Sequence, residues 1–198
     1  MMKYSFLILI LNCLCFEVFS QDISRNEGVY FTASPKVNFH LKTDFRFEQG
    51  NSFYLVDTSE ELTFSYGFNM EIGYFVIPKS FSIGLGLGIE DNDYFMATYW
   101  PIYLDAKYFL FKERNSNFIQ MNLGTVLSTR YNEVSGGNFL IGFGRKLFFT
   151  GKLAALMSVN YNYLNINYAN TGIINFGFGA DRYKLITHGL EFRIGLIF

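Results

Sequence analysis

Two kinds of residue in this chain have the chemistry to form a functional site: charged side chains set among small polar residues, and two histidines. Eight charged residues fall on the polar positions of segments in which bulky apolar and small polar residues alternate: Lys36, Glu71, Glu90, Asp105, Lys107, Lys146, Glu191 and Arg193. Asp105 and Lys107 are two residues apart, as are Glu191 and Arg193, and this spacing puts both side chains on one face of a strand. Because both signs occur, we expect these side chains to pair. Such a network either plugs and rigidifies an interior or forms a charged constriction that selects small ions.

The two histidines, His40 and His188, predict neither a metal site nor a catalytic centre. His40 lies on the polar parity of its segment and His188 on the bulky parity, so their side chains are expected on opposite faces. No third metal ligand is evident, and no cofactor is predicted. No serine or acidic residue is placed convincingly with either histidine, so we predict a protein that is not an enzyme. The alternative is an enzyme acting on lipid or peptide at the rim.

The elements that must position these residues are eight segments with a period of two, which is the period of a β-strand. In the clearest of them, bulky residues from Leu62 to Tyr74 alternate with small polar ones from Thr63 to Gly73. Eight is an even number, as single-chain bacterial barrels require. The predicted segments are 29–41, 62–76, 81–90, 99–111, 119–128, 138–146, 153–168 and 186–198.

The connections alternate in length, which is typical of an up-and-down barrel in the outer membrane. Residues 77–80, 112–117 and 149–152 form the short set, expected in the periplasm, and residues 48–61, 91–97, 129–137 and 169–185 form the longer outer set. Three positions disturb the pattern. Pro35 and Pro101 predict local breaks because proline removes a ladder hydrogen bond. The alternation also slips near Leu164-Asn165-Ile166, which suggests a bulge.

Residue size indicates which face points inward. The polar face is rich in Gly, Ser, Asn and Thr, with Ser82-x-Gly84-x-Gly86-x-Gly88 as the extreme case. The interior of an eight-stranded barrel is narrow and filled by side chains, so small residues suit it. The opposite face carries bulky Phe, Tyr, Leu and Ile residues and is expected to face lipid. Aromatics near the strand ends, among them Tyr74, Trp100 and Tyr161, fit interfacial girdles.

Composition supports a membrane protein. Aromatic residues make up 20% of the chain and charged residues only 17%, with a formal net charge of −1. This balance offers no basic excess for nucleic acid. No later stretch is long and apolar enough for a spanning helix, and the remaining way to pair every backbone amide in lipid is a closed barrel.

The first 20 residues resemble a cleaved signal peptide. Lys3 precedes a short apolar run, and Val18-Phe19-Ser20 suits cleavage before Gln21. The barrel domain is then expected to be residues 21–198. Cys13 and Cys15 both lie in the removed segment, so no disulfide is expected in the mature chain.

The chain resembles the small outer-membrane β-barrel proteins of Gram-negative bacteria, the porin-family or OmpA-like eight-stranded barrels. Its signal segment, the strand Trp100-Pro-Ile-Tyr-Leu-Asp-Ala-Lys-Tyr-Phe109 and the terminal segment 188–198 carry the resemblance. The resemblance implies an all-β, antiparallel, up-and-down transmembrane barrel that is a monomer among outer-membrane lipids. It also implies that barrel-assembly machinery recognises an aromatic terminal strand through Phe192, Ile194, Leu196 and Phe198.

Function is less specified than location. The pattern favours a structural protein or a narrow porin-like channel, and an adhesin acting through the long loops remains an alternative. Small barrels of this kind carry many unrelated activities, so the fold alone does not select among them.

Overall fold

The computed structural model describes residues 26–49, 52–57, 63–92, 97–127, 134–150, 153–169 and 182–198. The expected signal peptide, residues 1–20, lies outside these ranges. The strands are β1 (Val29–Gln49), β2 (Ser52–Asp57), β3 (Thr63–Ile77), β4 (Phe81–Asn92), β5 (Ala97–Phe109), β6 (Ser116–Leu127), β7 (Val134–Thr150), β8 (Leu153–Ala169) and β9 (Arg182–Ile197).

Eight of the strands form a closed antiparallel barrel. Neighbours in the chain are neighbours in the sheet from β3 to β9, and β1 closes the barrel by pairing with both β3 and β9. The predicted fold class, an all-β up-and-down barrel of eight strands, is confirmed. We call the end with the Pro78–Ser80 turn the turn end, and the end with the β1–β2 connection the loop end.

The prediction of a loop over residues 48–61 is wrong in part. β1 runs on to Gln49 and pairs with β2, from Gln49 opposite Ser52 to Asp44 opposite Asp57. With 21 residues, β1 is about twice the length that a membrane-spanning strand needs. The sequence of β2, Ser-Phe-Tyr-Leu-Val-Asp, is rich in the aromatic and branched residues that favour strands. The β1–β2 hairpin therefore extends the wall at the loop end.

The wall contains a register shift, but not where the sequence suggested it. The β1–β9 pairing shifts between His40 and Lys42, and beyond this bulge the facing of β1 reverses, so that Thr43 and Phe45 are buried. The bulge suggested near residues 164–166 is absent, because β8 pairs with both neighbours there without a register shift. Leu164 and Ile166 instead point inward and are buried.

The interrupted alternation at residues 164–166 thus reflects apolar side chains lining the lumen, and the backbone pairing is regular there. Ile166 pairs with Leu185, and Leu185 pairs with Phe45 on the next strand. All three side chains are buried. The lumen is therefore apolar on this side of the loop end, where the sequence pattern predicted polar residues.

Each proline interrupts the pairing locally, as predicted, but neither ends its strand. The β1–β9 ladder skips Ser34 and Pro35, while Pro35 stays opposite Phe68 on the other side. The β4–β5 ladder likewise skips Trp100 and Pro101, while Pro101 stays opposite Val126. Each proline lacks one backbone N–H, so it interrupts one ladder and leaves the other intact.

The bulky parity faces outward, as predicted. Leu87, Ile72 and Leu104 keep 45%, 56% and 65% of their surface exposed, whereas inward neighbours such as Glu71 are buried. No helix among the described residues is long and apolar enough to cross a membrane.

The inward face is not uniformly small, which the sequence analysis did not anticipate. Tyr30, Phe75, Phe109 and Phe118 form a buried aromatic cluster that fills the turn end. Glycines make room for inward rings because a Cβ at Gly73 would collide with Tyr30, one at Gly144 with Phe118, and one at Gly86 with Tyr103. Each of these three glycines is the register partner, on the neighbouring strand, of the ring that it accommodates.

Candidate functional site

The first of two ion-pair clusters in the lumen is centred on Lys107. Its Nζ lies 2.6 Å from Glu71 Oε1 and 2.5 Å from Asp105 Oδ2, and all three side chains are buried. Tyr30 donates a hydrogen bond of 3.0 Å to Glu71. Gly84 on β4 lies between the carboxylates of β3 and β5, and a Cβ there would collide with Glu71. The glycine lets side chains from two strands meet over a third.

The second cluster joins β1, β4 and β9. Arg193 donates two hydrogen bonds to Glu191 Oε1, at 2.6 Å from Nη2 and 3.0 Å from Nε. Lys36 pairs with Glu90 and lies 3.4 Å from Glu191 Oε2. Gly67 separates Lys36 from Glu90 in the register, and a Cβ on Gly67 would crowd both residues. Small residues again open the path between partners.

The eight charged residues selected from the sequence are all buried, but they do not form a single network. Seven of them form the two clusters just described. Lys146 lies elsewhere, on β7 at the turn end, opposite Ser116. It donates a hydrogen bond to Asn26 Oδ1. The two clusters together contain four carboxylates and three cations, so losing a cation leaves a larger charge imbalance than losing an acid.

Little open space remains between the clusters. Two cavities border them, and each leaves about 10 Å³ accessible to the centre of a water molecule. This is close to the smallest volume that holds one water. One cavity lies beside Glu90 and Glu191, the other beside Glu71 and Lys107, and Arg193 lines both. Arg193 therefore separates them.

A histidine, a serine and a carboxylate meet at the loop end, which the sequence analysis missed. His40 Nε2 lies 3.1 Å from Ser65 Oγ, and Ser65 donates a hydrogen bond of 2.5 Å to Glu90 Oε1. Asn38 also donates to that oxygen, at 2.6 Å. His40, Ser65 and Glu90 all lie on the polar positions of their strands, and this was the signal that the sequence offered for the trio. Their proximity depends on register, and alternation does not specify register.

This trio does not have the geometry of a hydrolase. A serine nucleophile needs its hydroxyl proton directed to the histidine, and the acid must orient that histidine from its other side. Here the Ser65 hydroxyl donates to the acid itself, and His40 and Ser65 are 3% and 0% exposed. Three polar groups thus satisfy one another inside the wall.

The second histidine lies on the outer surface of the wall, where its parity predicted it. Lys42 on β1 and Tyr163 on β8 are its register neighbours. Tyr161 Oη lies 2.5 Å from His188 Nδ1, and the Tyr163 ring packs edge-on at a centroid distance of 5.1 Å. His40 and His188 therefore share no site. No group of three or more potential metal ligands from His, Cys, Asp and Glu occurs in the described part of the chain.

The residues predicted as an assembly signal share one face of β9 and of the residue that follows it. Phe192, Ile194, Leu196 and Phe198 all point outward and keep between 42% and 57% of their surface exposed. Phe192 packs edge-on against Phe39 of β1 with ring centroids 5.8 Å apart. These side chains contribute to the apolar exterior of the closed barrel.

Comparison with solved structures agrees with this fold. The outer membrane protein OprG from Pseudomonas aeruginosa superposes with a TM-score of 0.57 at 7% identity, covering 89% of this chain and 98% of OprG. The outer membrane protein AlkL gives a TM-score of 0.46 at 12% identity, covering 92% and 95% of the two chains. At such identities the likeness to OprG shows a shared fold. No protein-family model and no curated protein sequence matches the chain.

Proposed function

We propose that this chain is an integral outer-membrane barrel with a structural role, and that buried ion pairs keep its lumen closed. Its apolar exterior supports a membrane location because a protein in water seldom exposes so large an apolar surface. The fold that it shares with OprG, an outer membrane protein, supports the same location. The observation that carries the closed lumen is the Lys107 bridge to carboxylates from two strands, with cavities no larger than a water beside it.

A narrow porin-like channel is the second candidate, and one observation favours it. Arg193 alone lines both cavities, and its guanidinium is held by a single carboxylate, Glu191. A movement of that side chain would connect the two spaces. The closed form is favoured because Nε and Nη2 of Arg193 both donate to Glu191 Oε1, and hydrogen bonds between two charged groups are among the stronger polar contacts.

The rim-enzyme alternative has less support. Such an enzyme needs a nucleophile that substrate can reach, and Ser65 is buried and bonded to Glu90. An adhesin would act through the outer connections, and the β1–β2 hairpin is one element on which such a role would rest.

The biogenesis of the protein is part of the proposal. We propose export by a signal peptide over residues 1–20, delivery to the barrel-assembly machinery through the outward face of β9, and function as a monomer among outer-membrane lipids. No nucleic-acid partner is proposed, because the chain carries a net charge of −1.

Reconstitution tests the proposal. The chain refolded into phosphatidylcholine vesicles is expected to resist protease and to change its gel mobility on boiling, as an inserted barrel does. Vesicles that contain the protein and are loaded with potassium chloride should then release the salt no faster than protein-free vesicles with the same load. Rapid release from vesicles with protected protein would favour the channel, whereas protein that stays protease-sensitive would contradict the membrane location.

A further inference from the structure

The bulge after His40 creates a cationic patch on the outer surface of the loop end. Beyond the bulge, Lys42 and Arg46 are exposed while the intervening Thr43 and Phe45 point inward. Arg46 pairs in register with Lys184 of β9, so both side chains lie on the outer face. We call Lys42, Arg46 and Lys184 the cationic patch.

Among the side chains that the structure describes, a single carboxylate lies within ion-pair distance of the cationic patch. Asp44 lies 3.4 Å from Lys42 and 4.0 Å from Arg46, so one carboxylate serves two exposed cations. Within the described ranges Lys184 forms no ion pair, and it sits directly opposite Arg46. Like charges placed directly opposite on neighbouring strands destabilise a sheet. An anion bound between these side chains would relieve that repulsion.

The height of the cationic patch matches a lipid headgroup. His188 on β9 and Phe198, the residue after β9, are ten residues apart, which is about 33 Å along the strand and about 25 Å along the membrane normal at the usual tilt. That is the height of the apolar band of such barrels. His188 with Tyr161 and Tyr163 then marks the interface, where amphipathic rings collect. Lys184 lies four residues further on, about 10 Å above this level.

The surface below the cationic patch suits acyl chains. Phe39 and Phe192 lie beneath it on the same two strands, and they keep 45% and 44% of their surface exposed. A ligand that joins a phosphate to hydrocarbon would contact the cations and these rings together. The β3–β5 side of the loop end differs, since it carries an acidic residue, Asp91, bonded to Tyr66 and Thr98. The favourable site is therefore local to β1 and β9.

From the repulsion between Arg46 and Lys184 and from this height, we infer that the cationic patch binds the phosphate of an anionic lipid in the leaflet at the loop end. Lipid A, a phosphorylated glycolipid, has this chemistry and serves as the probe. The inference rests on the proposed membrane location and adds a lipid-specific site to it. Binding holds the hairpin base against the membrane surface, because Arg46 lies in the part of β1 that pairs with β2.

Titration with lipid A, in its phosphorylated and dephosphorylated forms, tests the site. The variant Arg46→Gln/Lys184→Gln removes two patch cations, and Lys112→Gln/Arg145→Gln removes two exposed cations from the turn end as a matched control. Each full-length protein is refolded in zwitterionic micelles, and bound lipid is quantified by native mass spectrometry. Each lost patch cation should weaken binding about fivefold, so the double variant should bind about 25-fold more weakly.

The control variant should bind phosphorylated lipid A as tightly as the wild type, and inorganic phosphate at millimolar concentration should not displace the lipid. Equal binding by all three proteins, equal binding of the dephosphorylated form, or displacement by inorganic phosphate would each overturn the site. Folding is scored separately: without lipid, the patch variant should unfold at the same or a higher urea concentration than the wild type, since repulsion is removed. If the wild type inserts in vesicles but does not prefer the phosphorylated lipid, lipid binding by the cationic patch is refuted and the membrane location stands. If the wild type fails to insert, the proposed location is refuted.

Discussion

Replacing Lys107 by methionine tests whether the lumen is dry enough for its ion pairs to matter. The substitution keeps an apolar stem of similar length and removes the ammonium that contacts Glu71 and Asp105 at 2.6 and 2.5 Å. Two buried carboxylates would then face each other without a cation. Removing one partner from a buried ion pair typically costs about 3–5 kcal/mol.

Protonation of one of the two carboxylates sets an upper limit on the stability that Lys107→Met loses. A carboxylate of ordinary acidity takes up a proton at pH 7 at a cost of about 4 kcal/mol, so a variant can escape repulsion by protonating one acid. The loss of stability at pH 7 should therefore be about 4 kcal/mol. It should shrink by about 1.4 kcal/mol for each pH unit below 7, because the proton becomes easier to acquire.

Urea unfolding of the chain in lipid vesicles, followed by tryptophan fluorescence at pH 7 and pH 5, measures both quantities. Asp105→Asn is the matched control: it leaves Glu71 paired with Lys107 in a cluster that starts with excess acid, and its loss should be smaller. Lys107→Met combined with Glu71→Gln should recover part of the stability. A loss below about 1 kcal/mol, the value for solvated pairs, with no dependence on pH would refute the dry lumen.

Other parts of the barrel yield further predictions. Leu87→Arg should destabilise the inserted barrel by about 2–4 kcal/mol, because Leu87 points outward at mid-strand, and the loss should be larger than that of Leu87→Ala in the same vesicle assay. Gly86→Ser should lower the free energy of unfolding by about 1–3 kcal/mol, because the added side chain collides with the Tyr103 ring. Gly86→Ser/Tyr103→Leu should recover part of this loss, and an unchanged stability of Gly86→Ser would contradict the position of the Tyr103 ring. Ser65→Ala should lower the free energy of unfolding by about 1–3 kcal/mol because Glu90 loses a hydrogen bond. Neither the wild type nor Ser65→Ala should hydrolyse ester substrates, and an ester hydrolysis that depends on Ser65 would favour the enzyme alternative.

Alternation in the sequence was enough to predict that the eight charged residues point into the lumen. Asp105 with Lys107, and Glu191 with Arg193, lie two apart on one strand face, and both pairs are in contact. Such pairs depend only on the local period of a strand. The eight-strand count and the outward direction of Leu87 follow from the same period.

Contacts between strands were harder to predict, because they depend on register and on side-chain size across the lumen. Lys36 reaches Glu90 over Gly67, and His40 meets Ser65, through pairings that alternation leaves open. The bulge after His40 was also hidden, because apolar residues stay on odd positions on both sides of it, although Phe39 and Leu41 point outward and Phe45 points inward. Leu164 looked misplaced only because the lumen was assumed to be polar along its whole length.

The central claim, that buried ion pairs close the lumen, is tested most directly by a double-mutant cycle on Arg193 and Glu191, whose closest atoms are 2.6 Å apart. Unfolding free energies in lipid vesicles are measured for the wild type, Arg193→Met, Glu191→Gln and the double variant. A closed, dry lumen predicts a coupling energy of about 2 kcal/mol or more, because each single substitution leaves a buried charge without its main partner. A coupling energy below about 0.5 kcal/mol would show that water solvates the pair, and would contradict the closed lumen.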